Sequence, residues 1–336
     1  MERQSTTPVL ELVDLVAGYR LRQGLFGRRR DVHAVAGVSL SVGAGETLCL
    51  VGESGCGKST VARTVLSLLR PSSGEVRFDG ADVTGMSRRE LRAMRRQVQL
   101  VFQDPYASLN PRMTVRELIT EAWRIHPGIV ERERWDAEVA GLLERVGLNP
   151  GHASRYPHQF SGGQRQRICI ARALSVRPRL IVCDEAVSAL DVSIQAQILA
   201  LLKRLQEELG VAYLFITHDL GVVRQFADRV AVMHLGTIVE TGETERIYES
   251  PAHPYTQALL SAAPSVEDWR EQESEEILLH GDAPSPLDPP SGCRFHPRCW
   301  MTRDRCRTEE PALTDRGTGH PAACHYAGPL VSAHTS

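Results

Sequence analysis

Residues 52–60 read Gly-Glu-Ser-Gly-Cys-Gly-Lys-Ser-Thr, a full match to the spacing G-x-x-x-x-G-K-[ST]. Each residue type at that spacing has a task on a polyphosphate. Gly52, Gly55 and Gly57 let backbone N–H groups turn inward around phosphate oxygens, where the positive end of a following helix adds to the field. Glu53, Ser54 and Cys56 complete the expected cradle, and Thr60 lies in the first helical turn. Lys58 is expected to pair with the outer phosphates. Ser59 offers a hydroxyl to Mg²⁺, a cation that takes hard oxygen ligands and keeps several waters. The competing reading is a glycine-rich turn that binds nothing, but all fixed positions and both flanks agree on a nucleotide site.

A second group of residues supplies charge. Leu180-Ile181-Val182-Cys183 reads as a short buried strand that ends in Asp184-Glu185. After a phosphate loop, a carboxylate at such a strand end holds Mg²⁺ through its waters, opposite Ser59. Glu185, beside the metal and facing the γ-phosphate, is placed to orient and deprotonate water, a role that contributes roughly 10²–10⁴-fold in rate. The alternative is an Asp-Glu pair that merely ends a strand in solvent. Ser161-Gly162-Gly163-Gln164 precedes another helix and forms a second arrangement suited to phosphate oxygens.

These residues need elements to hold them. Thr47–Val51 reads as a strand before the loop, and Val61, Val65, Leu66, Leu68 and Leu69 follow at helical spacing until Pro71. Residues 9–20 and 32–51 read as strands. The basic stretch between them, Gly24 to Arg30 with Arg28-Arg29-Arg30, reads as a hairpin loop that is either simply solvated or a nucleic-acid or lipid contact. Residues 88–96 and 115–146 have helical periodicity, broken by Pro111 and Pro127 and stopped at Gly147. Asp191 is expected to cap a helix with Ile194, Ile198, Leu201, Leu205 and Leu209 on one face, closed by Gly210. Residues 211–217, 230–233 and 238–239 read as further strands, the last two joined by a turn at Leu235-Gly236.

Bulk properties narrow the class. A chain of 336 residues suggests about two domains at ~150 residues each. A formal charge of −2 gives no global basic field, so nucleic acid is not an expected partner. No apolar stretch approaches the ~20 residues needed to cross a bilayer, and Met1–Ser5 does not open a secretory signal, so a cytoplasmic location is expected. Of eight cysteines, Cys49, Cys56, Cys169 and Cys183 are scattered. Cys293, Cys299, Cys306 and Cys324 cluster near the end, in a loop-rich appendage beyond a Glu/Asp/Pro-rich linker.

The order of these motifs resembles the ATP-binding cassette of ABC transporters, with Ser161–Gln164 matching the family's signature. That resemblance implies an α/β fold: a P-loop NTPase with a RecA-like parallel sheet core, an antiparallel β subdomain and an inserted helical subdomain at about residues 104–175. Residues 1–262 would form the cassette and 263–336 the linker and cysteine-bearing extension. It also implies that Tyr19 stacks on adenine, the competing reading being an ordinary strand-end tyrosine. Gln103 would reach Mg²⁺ and the attacking water, and His218 the γ-phosphate. Ser188-Ala189-Leu190-Asp191 would cross to a partner cassette, because two cassettes pack head to tail with the signature of one over the P-loop nucleotide of the other. The expected activity is ATP hydrolysis.

Within that family, Asp104-Pro105-Tyr106-Ala107-Ser108-Leu109-Asn110-Pro111 and Ser250-Pro251-Ala252-His253-Pro254-Tyr255-Thr256 are similar to segments of bacterial oligopeptide and dipeptide importers. The resemblance implies a second ATPase subunit, identical or related, two integral-membrane permease subunits and an extracytoplasmic substrate-binding protein. The chain would sit peripherally on the cytoplasmic face of the membrane, with Tyr106–Met113 against the permease. Importers of nickel or other small solutes, a soluble non-transport ABC protein, and an iron or redox sensor are the alternatives. Four thiols at 293, 299, 306 and 324, with His296 and His325 nearby, could complete one tetrahedral Zn²⁺ shell or one iron–sulfur cluster. The resemblance favours [4Fe-4S] over zinc or plain reduced thiols.

Overall fold

The computed structural model describes residues 7–22, 29–262, 277–279, 281 and 284–328. Of the expected basic hairpin loop at Gly24–Arg30, residues 24–28 lie outside them, as does most of the linker after 262, while Arg29 and Arg30 already belong to a strand. In chain order the strands and helices are β1 (Leu10–Arg22), β2 (Arg29–Val42), β3 (Thr47–Val51), α1 (Lys58–Val65), β4 (Ser73–Phe78), β5 (Ala81–Asp82), α2 (Arg88–Gln97) and β6 (Val98–Val101). There follow α3 (Pro105–Ser108), α4 (Val115–Ile125), α5 (Trp135–Arg145), α6 (Gly162–Leu174), β7 (Leu180–Asp184), α7 (Val192–Leu209) and β8 (Ala212–Thr217). The chain continues through α8 (Leu220–Phe226), β9 (Arg229–His234), β10 (Thr237–Glu243), α9 (Thr244–Glu249), α10 (Pro254–Ser261) and α11 (Asp304–Thr308).

These elements form two compact units. The first comprises Glu11–Ser41, Thr47–Arg77 and Thr217–Ser336. In it β1 lies between β2 and β4, and β9 lies between β3 and β10. β3 is buried along its whole length and apolar after Thr47, as a strand covered on both faces must be. It runs parallel to β9, with Leu48 opposite Arg229 and Val51 opposite Val232. β10 returns antiparallel through a two-residue turn at Leu235 (φ 41°) and Gly236 (φ 85°). Two left-handed residues give a hairpin turn whose twist matches the strands.

The second unit comprises Met1–Leu10, Val42–Glu46 and Phe78–Ile216. Here β6, β7 and β8 are parallel neighbours in that order, Val98 pairing with Leu180 and Leu180 with Ala212. Helices α2, α4 and α6 each start on a reciprocal capping box: Ser87 with Glu90, Thr114 with Glu117, and Ser161 with Gln164. Such caps contribute about 1 kcal/mol each. The rings of Trp123 and Trp135 on α4 and α5 meet at a tilt with centroids 5.7 Å apart, and the Trp123 indole donates to the Ser175 carbonyl at 2.8 Å. That bond ties the helical block to the end of α6.

Two local expectations change. The apolar period after the loop runs to Leu69, but α1 ends at Val65, and Ser67 turns left-handed at φ 53°. Asp191 does stand at the start of α7, but its carboxylate makes no capping hydrogen bond. Gly210 closes that helix at φ 66° as expected. No helix among the described residues is long and apolar enough to cross a membrane.

Candidate nucleotide site

In the first unit the phosphate loop leaves β3 and enters α1. Two of its glycines are required by close packing of backbone on backbone. A Cβ on Gly57 would lie 2.1 Å from the Ala34 carbonyl oxygen, and one on Gly52 would lie 2.1 Å from that of Met233. Gly57 also has φ 113°, which disfavours any L side chain. The turn after β9 continues the support: the Gly236 N–H donates to the Cys56 carbonyl at 2.9 Å, and the Gly236 carbonyl accepts from the Ala36 N–H at 2.8 Å.

The side chains of the loop divide by burial. Lys58 is buried, and its ammonium donates to the carbonyls of Gly52 at 2.6 Å and Glu53 at 3.0 Å. The charge is thereby held over the loop. Ser54, Gly55 and Ser59 are exposed, Glu53 is half-buried, and Cys56 and Thr60 are buried. Burial pushes the Cys56 thiol up, against the opposing pull of Lys58, so it stays protonated. Gly57 at the helix start has no side chain to cap α1, which leaves that end of the helix suited to anions. Tyr19, on β1, is 37% exposed and its hydroxyl accepts from Arg63 of α1 at 3.1 Å. His218 is exposed on the corner after β8, a corner fixed by Asp219, whose carboxylate accepts from the Gly221 N–H at 2.8 Å.

The second unit collects the other candidates. Because β6 and β7 are parallel neighbours, Gln103 and Asp184 emerge at the same carboxyl ends, where open α/β sheets place their ligands. Glu185 has a left-handed backbone, φ 51°, and its N–H donates to the Ile216 carbonyl at 2.9 Å. Strained non-glycine backbone of this kind costs about 1–3 kcal/mol and persists where the surroundings impose it. The Ser188 hydroxyl donates to the Glu185 carbonyl at 3.0 Å and accepts from the Gln103 amide at 3.2 Å. The structure thus brings Gln103, Asp184, Glu185 and Ser188 together.

Ser161, Gly162, Gly163 and Gln164 form the first turn of α6, with Ser161 exposed at the cap. Two residues on that helix were not assigned from sequence. Gln166 is fully buried and donates to the Ala186 carbonyl at 2.7 Å, tying α6 to the segment after Glu185. Arg165 is buried, donates to the Pro157 carbonyl at 2.7 Å, and holds its guanidinium 3.7 Å from the Tyr106 ring centroid. A glutamine and an arginine inside a buried helix face are the available sequence signals, since such groups must find partners.

The tail cysteines form a separate group in the first unit. Cys293, Cys299, Cys306 and Cys324 all line one cavity of about 10 Å³, with Phe295, His296 and His325. Burial pushes the Cys293 thiol up to about 11 and Cys299 up to about 12. Soft thiols around one cavity suit zinc or an iron–sulfur cluster chemically. The geometry departs from that expectation: among the described residues no group of three or more His, Cys, Asp or Glu is placed to hold a metal ion. The tail is anchored by a buried polar knot. Glu240 of β10 accepts from the N–H groups of Ala252 at 2.7 Å and His253 at 3.0 Å, and lies 2.6 Å from the His320 imidazole.

Residues 35–188 match the family model described as ABC transporter, and residues 239–306 match that described as oligopeptide/dipeptide transporter, C-terminal region. The oligopeptide transport ATP-binding protein AppF of Bacillus subtilis is 51% identical, over 94% of this chain and 97% of its own. The di/tripeptide transport ATP-binding protein DppF of Pseudomonas aeruginosa is 47% identical, over 95% and 98%. Among solved structures, an ATP-binding cassette determined as a dimer in a post-hydrolysis state with ADP and phosphate is 29% identical, with a TM-score of 0.61 over 70% of this chain and 98% of that one.

Proposed function

The chain belongs to the ATP-binding proteins of the oligopeptide/dipeptide branch of ABC transporters, and we propose that its ATP hydrolysis drives uptake of such peptides through a membrane permease. It is an ABC ATPase. The match of residues 239–306 to the C-terminal region of oligopeptide/dipeptide transporters carries the peptide assignment, because the cassette motifs alone are shared by importers of many solutes.

The proposed roles follow the chemistry of each group. Lys58 and the loop N–H groups neutralise the phosphates; Ser59 and Asp184 are the residues that would hold Mg²⁺, which when bound would supply further positive charge to the phosphates. Gln103 would serve as a further ligand of the metal and orient the attacking water, Glu185 takes the proton from that water, and His218 would contact the γ-phosphate. Tyr19 supports adenine. Residues 161–164 close over the nucleotide of a second cassette, identical or related, so ATP favours the closed pair and hydrolysis opens it. Tyr106–Met113 faces a permease at the cytoplasmic side of the membrane, and a substrate-binding protein delivers cargo from outside. Reconstitution of the chain with its permease and binding protein tests this: peptide-loaded binding protein should raise ATP turnover and peptide accumulation. Stimulation by a nickel-loaded binding protein and not by a peptide-loaded one would overturn the peptide assignment.

The thiol chemistry of the four tail cysteines, rather than their placement, supports a second element, a [4Fe-4S] cluster that Cys293, Cys299, Cys306 and Cys324 would hold, with Zn²⁺ as the alternative. Protein purified without oxygen should be brown and carry about four irons per chain. Colourless, iron-free protein would remove the cluster.

A further inference from the structure

We propose that Arg298, from the C-terminal tail, is a positioning residue of the nucleotide site: it grips Glu53 of the phosphate loop and so sets both the shape and the charge of that loop. The inference rests on the ATPase reading above.

Glu53 is an awkward residue for its position. It is the second residue of a loop built to receive a polyanion, and an unpaired carboxylate there would repel the phosphates it must admit. The structure pairs it. Arg298 donates to both carboxylate oxygens, Nη1 to Oε2 at 2.8 Å and Nη2 to Oε1 at 3.1 Å. This two-pronged geometry fixes orientation as well as charge. The Arg298 side chain is only 9% exposed, so the pair is poorly screened by salt.

The same residue is held at its other polar groups. The Glu53 N–H donates to the Tyr255 hydroxyl at 2.8 Å, and its carbonyl accepts from Lys58 at 3.0 Å. Tyr255 is fully buried and packs at a tilt, centroids 5.4 Å apart, against Phe295, which is itself buried three residues before Arg298. Nearby, Arg294 donates to the Leu235 carbonyl at 2.5 Å, next to the Gly236 N–H that supports Cys56. The tail segment 294–298 therefore reaches the phosphate loop at two points, directly at Glu53 and through the β9–β10 turn at Cys56. A tail that only covered the cassette would not need a desolvated guanidinium aimed at the loop.

The test separates positioning from bulk stability by removing the two charges one after the other. Arg298→Gln leaves Glu53 negative and unheld, so the KM for ATP should rise about tenfold with kcat within about twofold. Adding Glu53→Gln removes the exposed charge, and the double variant should return to within about threefold of the parent KM. A tail contact of purely structural value gives no such rescue. The inference is overturned if Arg298→Gln leaves KM unchanged, or if the double variant is no tighter than the single one. Should Arg298→Gln not fold, Arg298→Lys carries the test: a KM raised about threefold at unchanged kcat supports it, and a parental KM overturns it. Failure of the underlying reading would look different, as a parent chain that neither binds nor hydrolyses ATP.

Discussion

The amide of Gln103 donates to the hydroxyl of Ser188 at 3.2 Å, and that hydroxyl in turn donates to the backbone carbonyl of Glu185 at 3.0 Å. One short chain of hydrogen bonds thus joins the residue proposed to meet the attacking water and the residue proposed to deprotonate it. Ser188→Ala cuts the chain without touching either end. It should lower kcat about fivefold with the KM for ATP within about twofold, because a neutral hydrogen bond contributes about 1 kcal/mol and here acts on geometry. Steady-state kinetics checks this, and a parental kcat would contradict it.

Gly57 admits no side chain. Its Cβ would stand 2.1 Å from the Ala34 carbonyl oxygen, a backbone atom that cannot rotate away. Gly57→Ala should therefore distort the loop and weaken ATP binding at least about tenfold while lowering the unfolding midpoint, since overpacking costs about 1–3 kcal/mol. Fluorescent-nucleotide titration and thermal melting give the two readouts.

Tyr106 is 66% exposed, yet its ring lies under the Arg165 guanidinium of the signature helix. Arg172 of the same helix donates to the Ser108 carbonyl at 2.7 Å. Segment 105–108 and α6 are thereby fastened together, a direct path from the proposed permease contact to the proposed signature. Tyr106→Ala should leave basal ATP turnover of the purified chain within about twofold, because an exposed cation–π contact contributes about 0.5–1 kcal/mol. Peptide uptake in the assembled importer should fall by about tenfold. Equal loss of both activities, or of neither, would contradict this path.

His234 carries a pH dependence. Burial, with Tyr255 at 4.5 Å and Phe295 at 5.4 Å, pushes its imidazole down from 6.5 to about 4. The unfolded chain takes up this proton near pH 6.5 and the folded chain only near pH 4, so between those values the unfolded state binds more protons. The contribution is whole above about pH 6.5 and is lost as pH falls toward about 4, on the order of 3 kcal/mol. His234→Gln should reduce the stability difference between about pH 7.5 and pH 5 in urea unfolding, with the remainder carried by His253, which burial pushes down in the same way. Parallel losses in parent and variant would contradict the assignment.

The phosphate loop was legible because each of its fixed positions answers a local demand, and β3, β7 and β8 because buried parallel strands are continuous apolar runs. Other elements hid for physical reasons. β6 has only four residues, and β4, Ser-Gly-Glu-Val-Arg-Phe, carries charge on one face. Leu66, Leu68 and Leu69 keep helical spacing beyond α1, but Leu68 is 61% exposed because the chain has already turned at Ser67. The site's supports were the least visible. Arg298 meets Glu53 across 245 residues, and His320 meets Glu240 across 80. No periodicity reports pairings of that kind, which only the folded chain creates.

The most direct measurement of the central claim is ATP affinity and ATP turnover of Glu185→Gln on one preparation. Binding should stay within about twofold of the parent, while turnover falls at least about 100-fold, the share that a general base supplies. Parental turnover in that variant would contradict the assignment of Glu185 and with it the proposed mechanism of hydrolysis.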